Sequence, residues 1–191
     1  MKEIRIDTIR DNLARYESRR ADTDGRIQAA VALILVPGGE GPELLLIKRT
    51  ERDDDPWSGQ MAMPGGRRDR EDHDLLQTAI RETREETAVE LEGAEVVGEL
   101  DDLSPSSPHL PPIMVRPFVF ILPSRPAVSI SDEVALHLWV PLVRLPASRA
   151  LEEIVIRDFR ITASGYRLGP HFVWGMTERI VTPFLGMVSR E

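Results

Sequence analysis

Three glutamates lie close together near the middle of the chain: Glu82, Glu85 and Glu86 fall within the segment RETREET, residues 81–87. Carboxylate oxygens are the ligands that Mg²⁺ and Mn²⁺ prefer in proteins. Carboxylates brought close together resist joint ionisation, and a cation between them removes that repulsion. The chemistry that these residues could perform is therefore metal-assisted catalysis.

The glutamates belong to the strongest predicted helix, HDLLQTAIRETREETAVEL over 73–91. Helical residues advance by about 100° each, which gives this helix one face of largely apolar side chains. That face is formed by Leu75, Leu76, Ala79, Ile80 and Thr83. Glu82 and Glu86 fall at its edge and should point into the protein, whereas Arg81 should point outward, four residues from Glu85 and able to pair with it. A charge-rich helix is usually a solvated surface, but two inward carboxylates favour a cation site.

The residues before this helix add to the site. Pro64-Gly65-Gly66 predicts a turn whose backbone can approach a ligand closely. Asp72 is predicted as the N-cap residue of the helix.

The remaining elements predict a single α/β (α+β) domain over 1–191, with an N-terminal helical extension in 1–20. A helix over 6–16 precedes two strands, 27–36 and 43–49, which are predicted to form a hairpin. Later elements are a short strand in 59–66, strands at 95–100, 113–122 and 134–142, a hairpin over 154–168, and a closing helix over 172–188 that Pro183 should kink or break.

Composition restricts the function further. The 191 residues include no cysteine, which excludes disulfides, thiol nucleophiles and cysteine-ligated zinc. The net charge of −8 argues against nucleic acid as a partner, and an anionic small molecule would need cations to bind. The first twenty residues are too charged for a signal peptide, and no apolar run reaches the roughly 20 residues of a membrane span. A cytoplasmic protein without membrane contact is expected.

The segment GRRDREDHDLLQTAIRETREETAV, 66–89, resembles the Nudix box, G-x5-E-x7-REUxEExGU, in which U is an apolar residue. The matching residues are Arg81, Glu82, Glu85, Glu86 and Val89. Gly66 matches the opening glycine if one residue is inserted, which puts Asp72 at the first glutamate. Thr83 and Ala88 replace the apolar residue and the late glycine.

Further segments resemble the coenzyme A pyrophosphatase branch of this family: LLLIKR, MPGG, SDEVALHLWVPL (131–142) and FVWGMT (172–177). One interval departs from that branch. RTERDDDPWSGQMAM is a residue longer than expected and carries Asp53, Asp54 and Asp55 where a basic contact would be usual. The hydrolase chemistry is unaffected by this departure, but coenzyme A specificity is not established by the sequence.

The resemblance implies a Nudix-type mixed β-sheet between helices, and a hydrolase that cleaves pyrophosphate bonds with Mg²⁺ or Mn²⁺. Implied metal ligands are Glu82, Glu85, Glu86 and the carbonyl of Gly65, with Arg81 as an orienting partner. Substrate contacts are expected at Gly65, Gly66 and Arg49. For Arg49 the alternative interpretation, an arginine on the surface without a role in binding, has nearly equal weight.

Several alternatives stay open at this point. The general base is either Glu133 or none beyond a metal-activated water near Glu85. The substrate is coenzyme A, or else ADP-ribose or a nucleotide sugar; a triphosphate substrate or a non-catalytic Nudix module is less favoured. Trp57, beside the glycine turn, is a residue that could stack on a nucleobase, although tryptophan usually serves the core. The expected partner is a small nucleotide, and a homodimer is not excluded.

Overall fold

The computed structural model describes residues 4–53, 55, 57–105, 111–156 and 159–189. Its helices are α1 (Ile6–Ala14), α2 (Leu75–Thr87) and α3 (Gly175–Val188). Its strands are β1 (Ile27–Val36), β2 (Glu43–Arg49), β3 (Met61–Ala62), β4 (Gly65–Arg67), β5 (Glu95–Glu99), β6 (Ile113–Ile121), β7 (Val134–Pro141), β8 (Arg149–Ile156), β9 (Phe159–Leu168) and β10 (His171–Trp174). Across these ranges no helix is long and apolar enough to span a bilayer.

A mixed sheet forms the centre of the molecule, with strand order β3-β2-β1-β6-β5. β1 and β6 run parallel from the pair Ile27–Ile113 to the pair Leu35–Ile121, and the other pairings are antiparallel. β4 pairs with the first half of β1, and β7 pairs along β2. Strands β8 to β10 make a second, antiparallel sheet. This arrangement confirms the predicted α+β class.

Helices cover both faces of the main sheet. The central strand β1 is apolar on both sides, and each side is buried by packing against a helix. Side chains alternate between the faces of a strand, so Ala32 and Ile34 point one way and Leu33 the other. Ala32 and Ile34 share a buried cluster with Leu75 of α2, whereas Leu33 shares one with residues of α1 and α3. The predicted sheet between helices is therefore correct.

Helix α2 is shorter than predicted, and its N-cap is a different residue. Asp74, not Asp72, caps the helix, because its carboxylate accepts the Gln77 N–H at 2.9 Å. The helix ends at Thr87 and is followed by the C-cap residue Ala88, which has φ +55°. This left-handed conformation costs a non-glycine residue about 1 kcal/mol, which explains the glycine that the Nudix box has at this position.

The chain ends also differ from the predictions. The helix expected over 172–188 begins only at Gly175, because residues 171–174 pair with β9. Pro183 lies inside α3 without ending it, since buried side chains on both sides of it hold the helix against the core. The first helix ends at Ala14, short of the predicted residue 16. The predicted hairpin over 154–168 is present and starts earlier, at Arg149. Residues 106–110, within the Pro/Ser-rich segment between β5 and β6, lie outside the described ranges.

Candidate active site

A cleft of about 550 Å³ opens where α2, β4 and the end of β2 meet. One side of the cleft is charged, and the other is apolar. The charged and glycine residues are Arg49, Arg52, Asp55, Gly65, Gly66, Arg67, Glu82, Glu86 and Glu133. The apolar lining includes Val31, Trp57, Met63, Ile113, Val115 and Met176. A cleft with one apolar side and a few convergent polar groups is the usual form of a small-molecule site.

Glu86 is the buried carboxylate of this cleft, with 3% of its surface exposed. One oxygen, Oε2, accepts the Gly65 N–H at 2.8 Å, and Oε1 lies 3.8 Å from Nη1 of Arg49. Burial raises the pKa of Glu86 to about 8; the Gly65 hydrogen bond and Arg49 oppose the rise, and Glu82 and Glu133 add to it. A buried carboxylate with so little compensating charge suits a divalent cation as its partner.

Glu82 lies one helical turn before Glu86 and packs against the backbone of β4. A Cβ atom placed on Gly66 would come within 2.4 Å of Cδ of Glu82, so the carboxylate can approach the strand only because residue 66 is glycine. Burial raises the pKa of Glu82, Arg81 opposes the rise, and Glu85 and Glu133 add to it. The prediction that Glu82 and Glu86 point inward is confirmed.

Gly65 and Gly66 are paired in β4 rather than free in a turn, and their substitution should have different effects. In Gly65→Ala the new methyl would meet the Ala30 carbonyl oxygen at 2.3 Å, at φ +148°, and we expect unfolding or a large loss of stability. In Gly66→Ala the obstacle is the mobile end of Glu82. We expect that variant to fold, with the Glu82 carboxylate displaced and weaker Mn²⁺ binding. Thermal unfolding and Mn²⁺ titration calorimetry on both variants check this. Equal stability of the two variants would contradict it.

Arg81 connects the acidic residues. The prediction that it points outward is wrong: its side chain is 22% exposed and is covered by the loop that leads into α2. Nε and Nη2 donate to the two oxygens of Asp72 at 3.0 and 2.9 Å, and Nη1 donates to Glu82 at 2.9 Å and Glu85 at 3.0 Å. The prediction failed because it considered only the geometry of the helix and not the loop that covers Arg81.

Asp72 is the buried carboxylate with which Arg81 forms an ion pair. Its Oδ2 also accepts the Thr78 hydroxyl and the Asp69 N–H, each at 2.9 Å. The hydrogen bonds from Arg81 hold the pKa of Asp72 at about 2 in spite of burial. Asp72 therefore stays charged and fixes the guanidinium that contacts the glutamates.

Glu85 lies nearer to solvent than the other two glutamates, with its side chain 54% exposed. Among the residues that the structure describes, no three acidic or histidine side chains are arranged to hold a metal ion. The contacts explain this, because Arg81 holds one oxygen each of Glu82 and Glu85. The donor set nevertheless fits a divalent cation: Glu86 is buried and undercompensated, and Glu82 lies one turn away across from β4. Metal ligation by Glu82, Glu85, Glu86 and the Gly65 carbonyl stays a prediction.

Glu133 reaches the rim of the cleft because its backbone is tied to the elements around it. The Thr50 N–H donates to the Glu133 carbonyl at 2.9 Å, and the Ser131 N–H donates to the Glu86 carbonyl at 3.0 Å. The Glu133 side chain is 51% exposed and lies 3.4 Å from Nη1 of Arg52. The structure thus puts Glu133 beside the glutamates of α2, while its role as a base stays a prediction.

Arg49 points into the cleft from the end of β2. The pairing of β2 with β7 shifts register between Lys48 and Arg49. Such an irregularity changes the direction of the side chain, here that of Arg49. Its Nε and Nη2 atoms donate to Oδ2 of Asp55 at 3.0 and 2.8 Å. Arg49 was among the site residues predicted from the sequence, whereas Asp55, Arg52 and Met176 were not. The feature of the sequence that could have pointed to Asp55 is its place, as an acidic residue, in the loop between Arg49 and the glycine pair.

With this geometry in place, comparison with known proteins decides the family. The family model described as NUDIX domain matches residues 26–163. The chain belongs to the Nudix family. The uncharacterized Nudix hydrolase NudL of Citrobacter koseri is 37% identical over 183 residues, 91% of each chain. The uncharacterized protein C14C4.10c of Schizosaccharomyces pombe is 38% identical over 143 residues, which cover 72% of this chain and 43% of that protein. The chain thus spans less than half the length of the yeast relative.

Solved structures show the same fold at lower identity. A Caenorhabditis elegans Ap4A hydrolase binary complex aligns with a TM-score of 0.52 and 24% identity, over 61% of this chain and 81% of that chain. The NUDIX domain of Shewanella oneidensis NrtR, complexed with ADP ribose, aligns with a TM-score of 0.51 and 22% identity, over 70% and 82%. These alignments confirm the Nudix fold, and the chain is a Nudix hydrolase by family.

Proposed function

We propose that this Nudix hydrolase uses Mg²⁺ or Mn²⁺ to cleave the pyrophosphate bond of a nucleoside diphosphate linked to another moiety. The observation that carries the proposal is Glu86: a carboxylate buried in an open cleft, held by one backbone N–H, with a second carboxylate, Glu82, one turn away. Carboxylate oxygens are the ligands that hard divalent cations prefer, and an acidic chain needs cations to accept a diphosphate.

The three glutamates, the Gly65 carbonyl and Arg81 have separate roles in this proposal. Glu82 and Glu86 are the main metal ligands, and Glu85 and the Gly65 carbonyl complete the set. When bound, the cations neutralise charge on the phosphate oxygens and make water a better nucleophile. Arg81 orients the carboxylates through the contacts described above.

Two routes for proton removal remain in the proposal. In the first, Glu133 accepts the proton of the attacking water, from a position at the cleft rim beside the glutamates. In the second, no side chain accepts the proton, because a water near Glu85 would already be acidified by bound cations, and Glu133 only shapes the rim. In both routes Arg49 binds the phosphates, and Gly65 and Gly66 line the cleft beside them.

Coenzyme A or a derivative is the first candidate substrate, on the resemblance of the segments around the box. ADP-ribose or a nucleotide sugar is the second, because these molecules contain the same diphosphate linkage and the Shewanella NUDIX domain is complexed with ADP ribose. A non-catalytic nucleotide-binding module is the third, and the presence of all three box glutamates weighs against it. The partners expected are such small molecules and not nucleic acid, in view of the net charge of −8.

A substrate panel tests the proposal. The purified chain is incubated with Mg²⁺ or Mn²⁺ and with coenzyme A, ADP-ribose, nucleotide sugars and nucleoside triphosphates, and the products are identified by mass. We expect cleavage of a diphosphate bond with both products carrying phosphate, and no cleavage in the presence of EDTA. Binding of nucleotide without any product under all conditions would support the non-catalytic module instead.

A homodimer also stays a prediction. In the described ranges, β8 forms an outer edge of the second sheet, and Leu151 and Val155 on it are 74% and 62% exposed. An exposed apolar strand edge is a surface that a second copy can cover. Sedimentation velocity of the purified chain measures the oligomeric state.

A further inference from the structure

One side chain in the loop after β2 contacts two potential substrate-binding residues at once. Oδ2 of Asp55 accepts both Nε and Nη2 of Arg49, at 3.0 and 2.8 Å. Its other oxygen, Oδ1, accepts the backbone N–H of Trp57 at 3.0 Å. The Asp55 side chain is 15% exposed, so these contacts are shielded from solvent. The position of Arg49 and the position of Trp57 therefore depend on the same carboxylate.

The contacts with Asp55 leave the other end of the Arg49 guanidinium turned toward the acidic site. Nη1 lies 3.8 Å from Oε1 of Glu86, which is too long for a hydrogen bond. A guanidinium is planar and always charged, and it can bind a carboxylate along one edge and phosphate oxygens along another. Arg49 is thus held with a donor group beside the carboxylates that hold the proposed cations.

Trp57 lies on the apolar side of the same cleft. It packs against the buried cluster of Ala29, Ile113 and Val115, and it lines the cleft together with Met176. A tryptophan ring can stack on any nucleobase, because every base has a π face. A nucleotide whose phosphate contacts Arg49 would therefore have an aromatic surface available for its base at Trp57.

We propose that Asp55 is a positioning residue that holds Arg49 and Trp57 as one recognition unit, in which Arg49 binds a phosphate and Trp57 stacks on the base of the same nucleotide. This inference rests on the proposed function and specifies how the site selects a nucleotide. It also gives an acidic loop residue a favourable part in binding an anion, because the charge of Asp55 is balanced by Arg49.

The competing explanation is that the acidic loop simply repels an anionic substrate. Asp53, two residues earlier in the loop, is exposed and provides a matched control. If repulsion dominates, Asp53→Asn and Asp55→Asn both lower KM. If Asp55 positions Arg49, only Asp55→Asn raises KM, by about tenfold, while kcat stays within about threefold, because the lost contact serves binding in both ground and transition states. The substrate is the one with the highest turnover in the panel.

A binding measurement separates this inference from the proposed hydrolysis. Trp57 emission is isolated as the difference between each protein and its Trp57→Phe counterpart, and ADP with Mg²⁺ is the probe. We expect ADP to quench Trp57 emission in the unmodified chain, with a half-saturating concentration about tenfold higher in Asp55→Asn and unchanged in Asp53→Asn. A chain that hydrolyses nothing in the panel would refute the proposed function, yet this titration would still decide the role of Asp55.

A second variant guards against a folding defect in Asp55→Asn. Arg49→Lys keeps the charge but loses the planar contact with Asp55, so it should weaken ADP binding by itself, and the double variant should be no weaker than the worse single one. Thermal unfolding is recorded for every variant. Additive effects in the double variant, a lowered KM in Asp55→Asn, or no ADP quenching of Trp57 would each overturn the inference.

Discussion

Glu86→Gln will abolish turnover and leave the fold intact. Glu86 is the most buried carboxyl group in the cleft, and glutamine fills the same space but cannot ionise to bind a metal ion. Loss of a metal ligand removes charge stabilisation worth several kcal/mol, so we expect a fall in kcat of roughly 10³-fold or more. Steady-state kinetics with the panel substrate at saturating Mn²⁺ measure the change.

The stability of this variant should change in the opposite direction to its activity. Burial raises the pKa of Glu86 to about 8. At neutral pH this carboxyl group would be ionised in the unfolded chain but is held protonated in the metal-free folded protein, and this difference lowers the stability of the fold. Glutamine avoids that cost and can still accept the Gly65 N–H through its amide oxygen. The metal-free variant should unfold at the same temperature as the unmodified chain or at a higher one.

Added Mn²⁺ should reverse that order. A ligand at a hundred times its Kd stabilises the native state by about 2.7 kcal/mol, and the variant should gain much less at the same concentration. Glu90→Gln makes the same chemical change at an exposed position and should affect neither turnover nor the Mn²⁺ shift. Undiminished turnover in Glu86→Gln would remove Glu86 from the mechanism.

The sequence predicted the parts of the fold whose pattern is local and strong. The apolar runs of β1, β2 and β6 predicted buried strands because strands covered on both faces are apolar throughout. The spacing of α2 predicted that Glu82 and Glu86 point inward because apolar residues on both sides define the buried face of that helix. These predictions depend on each element alone, and the structure confirms them.

Other predictions failed where a second element decides the outcome. Asp72 was predicted as the N-cap of α2, but its carboxylate pairs with Arg81, and Asp74 caps the helix instead. Residues 172–174 were predicted as the start of the closing helix, but residues 171–174 pair with β9 as a strand. Asp55 resembles its acidic neighbours in the sequence, and only its contact with Arg49 distinguishes it.

Asp72→Asn will destabilise the protein more than any other polar substitution near the cleft. Arg81 would lose its two-oxygen partner while remaining half-buried, and removal of one member of a buried ion pair costs about 3–5 kcal/mol. Because Arg81 keeps Glu82 and Glu85, we expect a loss near the lower end, about 3 kcal/mol in the free energy of unfolding measured in urea. The guanidinium should also shift toward the two glutamates, so Mn²⁺ binding should weaken.

The dependence of stability on pH distinguishes this ion pair from a simple packing effect. The pKa of Asp72 is about 2 in the folded protein against an ordinary value of 3.8, so the folded state favours the charged form. Its stabilising contribution is therefore complete above about pH 4 and is lost as the pH falls toward 2. Urea unfolding of the unmodified chain and of Asp72→Asn, compared between pH 6 and pH 2.5, should show a difference that shrinks with acid. Asp74→Asn, which keeps a side-chain oxygen at the N-cap, is the control and should change stability little. A difference between the unmodified chain and Asp72→Asn that stays constant across this range would show that the charge of Asp72 does not stabilise the fold.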